Sequence, residues 1–302
     1  MRKFREALQS KKFSISAEHS LREEFIARFK RQPRLFRAPG RVNIIGEHCD
    51  YNDGFVMPVN TALYTWLAIS PRDDRLVRVH SINFDHTQTL HLDELRPGGD
   101  EQWFEYIKSV VWVLQDEGVV LSGADVLIHG EIPLGGGLSS SASLETVFAY
   151  GLMMISAATI DRGQLAQWCQ RAENEFVGVN CGIMDQYVIS LSASNQAMKL
   201  DCRSLQYDQV ALPVSACILV VDTGVHHQLK NGGFNKRRRD CEHVVSILGQ
   251  LVEGIVALRD VSPAMLELHR GQLEDQAYRR ARHVVTEIRR VALAQQAMLD
   301  ND

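Results

Sequence analysis

Pro133-Leu-Gly-Gly-Gly-Leu-Ser-Ser-Ser-Ala-Ser143 decides the fold, because it lies between a predicted strand over residues 125–129 and a predicted long apolar helix that begins near Ser139. Three glycines let backbone N–H groups approach a bulky anion. The start of a helix supplies unpaired N–H donors and a partial positive charge, and serines there can cap the helix or offer hydroxyls to phosphate or Mg²⁺. The stretch indicates a phosphate-binding loop; the alternative is an ordinary serine-capped helix after a flexible turn.

Outward from this loop, hydrophobic periodicity predicts a mixture of helices and strands. The predicted helices cover residues 17–30, 103–116, 164–176, 235–251 and 273–297, the predicted strands 63–69, 76–84, 125–129 and 217–221, and turn chemistry covers 37–46. Such clusters predict an α+β fold with two domains. The length of 302 residues agrees with two domains at roughly 150 residues each.

Composition and charge exclude several classes of protein. Apolar residues make up 45% and charged residues 23% of the chain, which excludes disorder as the main state. The net charge of −4 disfavours a dedicated nucleic-acid binder, and no apolar run approaches the roughly 18 residues that span a bilayer. The six cysteines show no C-x-x-C spacing. We expect a cytoplasmic protein with reduced thiols, no nucleic-acid partner and no membrane association.

Two further stretches carry candidate functional residues. Gly40-Arg-Val-Asn-Ile-Ile-Gly-Glu-His-Cys-Asp-Tyr-Asn-Asp-Gly54 crowds three hydrogen-bonding side chains into four residues, Glu47, His48 and Asp50. Convergent groups of this kind bind the vicinal hydroxyls of a sugar, and a solvated acidic loop is the alternative. Cys181-Gly-Ile-Met-Asp-Gln186 places Asp185 between apolar residues. Alone, this aspartate is either a buried capped acid or a site carboxylate.

Together, the three stretches resemble the galactokinases, within the larger superfamily of small-molecule kinases that includes homoserine and mevalonate kinases. Residues 40–54 match the family hallmark G-R-V-N-L-I-G-E-H-T-D-Y-N-D-G, with isoleucine for leucine and Cys49 for threonine. Residues 133–142 match the superfamily phosphate motif P-x-x-x-G-L-S-S-S-A, and residues 181–186 match C-G-I-M-D-Q unchanged. Residues 280–287 are a further stretch that is similar to the family. The resemblance covers nearly the whole chain.

This resemblance implies a two-domain GHMP-kinase-like architecture with the active site between the domains. Residues 1–198 are expected to form the N-terminal domain, with the galactose-binding and phosphate-loop motifs, and residues 199–302 the C-terminal domain. The glycine-rich third motif of the superfamily is missing from the chain. The second domain is therefore expected to be incomplete, in either a fragment or a naturally shortened relative.

The resemblance also implies a reaction, the ATP-dependent phosphorylation of α-D-galactose to galactose 1-phosphate by a monomer that uses Mg²⁺. Asp185 is the implied base that accepts the proton of the 1-hydroxyl, and Arg41 the implied partner that stabilises charge on the phosphoryl group in transfer. The implied galactose contacts are Glu47, His48, Asp50, Gly182 and Phe234. The implied ATP phosphate cradle is Gly135, Gly136, Gly137, Leu138, Ser139, Ser140 and Ser141. The implied Mg²⁺ ligands are Ser141 and Glu173.

One departure from the family lies at Phe234, where members usually carry a tyrosine whose hydroxyl contacts the sugar. Phenylalanine keeps the ring and loses one hydrogen bond, worth roughly 0.5–1.5 kcal/mol. Two alternatives to a galactokinase stay open. One is a non-catalytic relative that binds galactose or ATP, as a sensor or degenerate fragment, and the other is a 1-kinase for another hexose.

Overall fold

The computed structural model describes residues 10–98, 101–159, 161–213, 217–221 and 233–300. Its α-helices are α1 (Ser10–Phe29), α2 (Gln102–Asp116), α3 (Ser140–Ile155), α4 (Arg162–Arg171), α5 (Met184–Leu191), α6 (Gly233–Leu251), α7 (Pro263–Leu268) and α8 (Asp275–Asp300). Its strands are β1 (Arg34–Asn43), β2 (Phe55–Val56), β3 (Pro58–Arg72), β4 (Leu76–Ser81), β5 (His86–His91), β6 (Gly123–Gly130), β7 (Gln196–Asp201) and β8 (Tyr207–Ala211). This is the predicted α+β class.

The chain forms two compact units that alternate along the sequence. Unit 1 comprises Met1–Gly40, Thr61–Leu134 and Leu138–Val177, and unit 2 comprises Arg41–Asn60, Gly135–Gly137 and Gly178–Asp302. The predicted domains, in contrast, are two contiguous halves with a boundary after residue 198. The two divisions differ because residues 41–60, 135–137 and 178–198 group with the C-terminal part of the chain. The family's domain boundary at 198 stays a prediction.

Unit 1 is built on strands that carry an apolar face. β6 pairs antiparallel with β3 and parallel with β4, and β4 pairs antiparallel with β5. The apolar face of α1 packs on this sheet through one cluster of buried residues: Leu21, Phe25, Phe29, Trp66, Ala68 and Leu127. The helix predicted over residues 17–30 is thereby confirmed, although it begins earlier, at Ser10.

The strand–loop–helix order around residues 133–143 is also confirmed. β6 comes before the glycines and α3 follows them. Ser143, in the first turn of α3, donates its hydroxyl to the carbonyl of Ala38 at 2.9 Å and lies 2.9 Å from the Thr65 hydroxyl, which fixes the start of the helix within unit 1. Neither α3 nor any other helix in the described ranges is long and apolar enough to cross a membrane.

Unit 2 holds a smaller set of strands. β7 pairs antiparallel with β2 and with β8. Its core cluster contains Met57, Ala197, Val210 and Val291, which joins α8 to the strands. Ile44, Ile45 and Phe55 pack against this cluster, so the segment that carries residues 46–54 is held on both sides by apolar contacts.

Two sequence predictions are wrong. Residues 217–221 form no strand, and Ile218, Leu219, Val220 and Val221 are exposed; no strand among the described residues pairs with them, and an unpaired backbone gains nothing from extension. The turn predicted over residues 37–46 is wrong for residues 37–43, which belong to β1 and pair with β3, and the chain bends only at residues 44 and 45.

Candidate active site

Arg41 and Asp185 form a bidentate ion pair. Arg41 lies near the end of β1, and Asp185 lies in the first turn of α5. Nε and Nη2 of Arg41 donate to Oδ1 and Oδ2 of Asp185, each at 2.6 Å, and Nη1 donates to the carbonyl of Gly137 at 2.7 Å. The two side chains are 14% and 24% exposed. The planar guanidinium fits a carboxylate in this two-bond geometry, which fixes both groups in orientation as well as in charge.

The electrostatic surroundings raise the pKa of the Arg41 guanidinium. Burial lowers the pKa of Arg41, but the facing carboxylate of Asp185 raises it, with help from Glu47 and Asp50, so that the pKa lies above its ordinary value. The N-terminus of α5 carries a partial positive charge that favours an anion in the first turn. The guanidinium and this helix end therefore both place positive charge next to the side chain of Asp185.

Asp50 packs directly against Gly182. A Cβ atom at position 182 would lie 2.0 Å from Oδ2 and 2.2 Å from Cγ of Asp50, so only glycine allows this approach. Burial raises the pKa of Asp50 to about 7, and the like charges of Asp185 and Glu47 contribute to the rise. The structure thus brings four of the residues singled out in the sequence, Glu47, Asp50, Gly182 and Asp185, into one neighbourhood of unit 2.

Asp50→Asn is expected to flatten the pH dependence of stability. The pKa of about 7 in the folded protein lies above the ordinary value of 3.8. The stability that this proton contributes is complete below about pH 4 and is lost as the pH rises through about 7. Asparagine does not ionise, so the free energy of unfolding of the variant, relative to the wild type, should rise from pH 4 to pH 8. Urea melts at pH 4, 6 and 8 measure it.

The control for this experiment is Asp208→Asn, because Asp208 is an exposed acid on β8. It gives the effect of replacing one exposed carboxylate by an amide at each pH. If the difference between Asp50→Asn and the wild type changes with pH no more than the difference for this control, the pKa of Asp50 is not raised.

Residues from α8 anchor the loop that carries Glu47, His48 and Asp50. Oε1 of Glu287 accepts the N–H of Gly46 at 3.0 Å, and Nε2 of His283 lies 2.9 Å from the carbonyl oxygen of Glu47. Burial raises the pKa of Glu287, but Arg290 and the Gly46 N–H lower it more, so the net pKa is below its ordinary value. Sequence reasoning did not identify His283 and Glu287 as anchors of this loop. The only indication was that residues 280–287 are similar to the family.

His48 and Phe234 share one aromatic cluster with Tyr51. The ring centroid of Phe234 lies 5.2 Å from the ring centroid of Tyr51 and 6.0 Å from that of His48. Nε2 of His48 lies 3.2 Å from Nη1 of Arg237. Burial lowers the pKa of His48; Glu47 opposes this effect, and Arg237 and His283 reinforce it. The half-buried Phe234 therefore lies beside the loop of residues 46–54.

The glycine loop presents backbone rather than side chains. Gly135 and Gly137 both have φ of 72°, a conformation that favours glycine, and both are exposed. Ser139 has φ of 60°, and its side chain makes no capping hydrogen bond to α3, which begins at Ser140. The alternative of an ordinary serine-capped helix is therefore not what the structure has. Gly135–Gly137 group with unit 2, whereas Leu138 to Ser141 group with unit 1.

Glu173 lies in a single π-helical turn. The predicted helix over 164–176 is correct up to Arg171, after which Ala172–Val177 widens into this turn, a feature that recurs at functional sites. Glu173 is 3% exposed, and Glu145 on α3 is fully buried. Burial raises the pKa of Cys169, and Glu145 and Glu173 raise it further, so both carboxylates lie near this thiol. Sequence reasoning missed Glu145, although it follows Ser141 by one helical turn.

Comparisons with known proteins agree with this geometry. The galactokinase galactose-binding signature matches residues 23–71, and the N-terminal domain of GHMP kinases matches residues 105–193. A galactokinase of Roseiflexus sp. (strain RS-1) is 44% identical over 271 residues, which cover 89% of this chain and 69% of that protein. A galactokinase of Chloroflexus aggregans (strain MD-66 / DSM 9485) is 40% identical over 290 residues, which cover 96% of this chain and 74% of that protein.

A solved structure gives the same result for the fold. The crystal structure of Lactococcus lactis galactokinase complexed with galactose superposes with a TM-score of 0.87 at 30% identity, covering 94% of this chain and 75% of that one. Sequence signature, homology over most of the chain and fold thus agree with one another, and this chain belongs to the galactokinase family of the GHMP kinases.

Proposed function

We propose that Arg41 and Asp185 carry out the reaction of this sugar kinase, the transfer of the γ-phosphoryl group of ATP to the 1-hydroxyl of α-D-galactose. ATP-dependent galactose phosphorylation is the activity that homology to galactokinases supports. The single observation that carries the residue assignment is the bidentate ion pair, with both N–O distances at 2.6 Å. This ion pair orients the carboxylate of Asp185 beside the loop of residues 46–54 and holds the positive charge of Arg41 next to that carboxylate.

Each side chain of the pair has a separate task. Asp185 accepts two hydrogen bonds from Arg41 and, as the proposed base, accepts the proton of the sugar hydroxyl. A positioned general base of this kind contributes about 10²–10⁴ in rate. Phosphoryl transfer otherwise depends on positioning and on charge stabilisation. The fixed guanidinium of Arg41 supplies such stabilisation without reorganising during the reaction.

The galactose contacts in this proposal are Glu47, His48, Asp50, Gly182 and Phe234. Support comes from their position in one neighbourhood of unit 2, with Asp50 against Gly182 and Phe234 beside the ring of His48. Carboxylates and backbone groups bind the hydroxyls, and the aromatic ring covers an apolar sugar face. The loop is preorganised by Glu287 and His283, so that little ordering remains for the sugar to induce.

The ATP phosphates in this proposal bind the loop from Gly135 to Ser141. Gly135 and Gly137 have positive φ angles, lack side chains and are exposed, so their backbone can face a ligand. The first turn of α3 adds unpaired N–H donors and a partial positive charge. Both features are those of a helix N-terminus that holds a phosphate.

Mg²⁺ fits the donors that Ser141 and Glu173 offer. A hydroxyl and a carboxylate are hard oxygen ligands, and Mg²⁺ in kinases takes one or two protein carboxylates together with phosphates and waters. In the described part of the chain, no group of three or more His, Cys, Asp or Glu is placed so that it could hold a metal ion by itself. Glu145 and Glu173 are two buried carboxylates that lie near Cys169, and their negative charge favours a cation in this region. Bound Mg²⁺ would neutralise charge on the phosphates.

Kinetics with a substrate that lacks the acceptor group test the function. The chain is expected to release ADP from ATP with α-D-galactose and to release none above background with 1-deoxygalactose, which keeps the other hydroxyls. Calorimetry should show that both sugars bind. Binding of galactose without ADP release would favour the non-catalytic relative over the kinase. The monomeric state and the cytoplasmic location stay predictions.

Phe234→Tyr is expected to tighten galactose binding by roughly 0.5–1.5 kcal/mol, because the new hydroxyl can reach the sugar from the same ring position. Titration of galactose, glucose and talose against both forms measures the affinity for the sugar and for two epimers. Without that hydroxyl, no buried partner is left unpaired when an epimer binds, so the wild type should be more tolerant of epimers than the variant.

The matched control is Phe84→Tyr, because Phe84 is exposed and belongs to unit 1. Its sugar affinities should equal those of the wild type. If Phe234→Tyr also leaves all three affinities unchanged, residue 234 does not face the sugar.

A further inference from the structure

A cavity of about 350 Å³ lies in unit 2, alongside α6 and α8. Three arginines and two histidines line it: Arg237, Arg279, Arg280, His48 and His283. None of the described residues in its wall is acidic. Of the residues assigned to galactose or to phosphoryl transfer, only His48 reaches this wall, so the cavity is a separate place from the Arg41–Asp185 pair.

The positive charge of this cavity is only partly balanced. Nη1 of Arg280 donates to Oδ2 of Asp240 at 2.5 Å, and Asp240 lies outside the wall. Nη1 of Arg237 lies 3.2 Å from Nε2 of His48, whose pKa is lowered by burial, so this neutral acceptor does not balance the charge of the guanidinium. No carboxylate in the described ranges forms an ion pair with Arg237 or Arg279. A concave surface with unbalanced positive charge concentrates anions.

We propose that this cavity binds a phosphate group, either free inorganic phosphate or the phosphate of a small sugar ester. Guanidinium forks match the geometry of phosphate oxygens and bind them with two parallel hydrogen bonds. A volume near the lower end of the roughly 300–1,000 Å³ range of small-molecule sites holds a small metabolite rather than a polymer. The apolar sides of Tyr51 and Val284 complete the wall and could cover the carbon part of an ester.

Calorimetry on the chain with its active site filled tests the proposal. Galactose and a non-hydrolysable ATP analogue are kept saturating, so that neither the sugar site nor the glycine loop competes for the probe. Inorganic phosphate and galactose 1-phosphate are then titrated separately at constant ionic strength. Saturable binding is expected. Tighter binding of the ester would identify a phosphorylated sugar as the ligand, and equal affinity would identify the phosphate group alone.

Two variants and one matched control locate the site. Arg279→Gln removes an exposed guanidinium and should weaken phosphate binding at least about tenfold. Gln276→Glu places a carboxylate in the wall and should abolish the binding. Arg282→Gln changes an exposed arginine of the same helix that lies outside the cavity, and it should retain the wild-type affinity.

Three results would overturn the proposal: no saturable binding to the wild type, affinities unchanged in both cavity variants, or an equal loss in Arg282→Gln. Thermal melting of every variant accompanies the titrations. Because the exchanged side chains at 276, 279 and 282 are all exposed, each variant should melt as the wild type does.

Discussion

Asp185→Asn should lower the turnover of galactose by about 10²–10⁴-fold and leave galactose affinity within about tenfold. The amide keeps the shape of the carboxylate and can still contact Arg41, but it does not accept the proton of the 1-hydroxyl. Arg41 then faces a neutral group in place of an anion 2.6 Å away. Steady-state ADP release gives the turnover, and calorimetry gives the affinity.

The control for this variant is Asp208→Asn, an identical exchange at an exposed acid of unit 2. It should keep both turnover and affinity. An Asp185→Asn protein that retains more than about a tenth of the wild-type rate would remove Asp185 from the role of base. A variant in which Arg41 has lost its charged partner can be less stable. Circular dichroism of each variant therefore shows whether a loss of turnover comes from the missing base or from unfolding.

Gly182→Ala should weaken galactose binding by roughly ten- to a hundredfold while leaving ATP affinity unchanged. The added methyl would overlap the Asp50 carboxylate, with 2.0 Å between Cβ and Oδ2. The carboxyl group must turn away, and above about pH 7, where Asp50 is charged, the sugar then loses a charged hydrogen-bond acceptor, worth about 1.5–3 kcal/mol. The end of a short side chain can move without disturbing the backbone, so the effect should fall on binding more than on stability. Separate titrations of galactose and of the ATP analogue measure it.

Gly271→Ala is the matched glycine exchange, because a Cβ atom at that position would meet nothing within 4 Å. It should bind galactose as the wild type does. Wild-type galactose affinity in Gly182→Ala would show that the position of Asp50 against Gly182 is not required for sugar binding.

The local parts of the site could be predicted because they are contiguous in the sequence. The glycines and serines of residues 133–143 follow a strand and begin a helix, and both elements stand in the structure as β6 and α3. The pairing of Arg41 with Asp185, 144 residues away, came from the resemblance and not from spacing. Contact between two distant segments leaves no periodic signal in either one.

The parts that sequence reasoning missed depend on tertiary contacts. Gly40 suggested a turn, yet it lies within β1, where a Cβ atom would stand 2.7 Å from the carbonyl oxygen of Leu138. The glycine is there for close approach rather than for bending. Glu287 anchors Gly46 across 241 residues, and nothing in the local sequence of α8 indicates that contact. Residues 217–221 have the composition of a strand but no partner among the described strands.

Phosphorus NMR of the reaction products tests the central claim most directly. The chain is incubated with ATP, Mg²⁺ and α-D-galactose, in parallel with its Asp185→Asn variant. The account predicts that the signal of galactose 1-phosphate rises together with that of ADP in the wild type, and that it rises about 10²–10⁴ times more slowly in the variant. ADP that accumulates with inorganic phosphate and no sugar phosphate, or galactose 1-phosphate formed equally fast by both proteins, would contradict it.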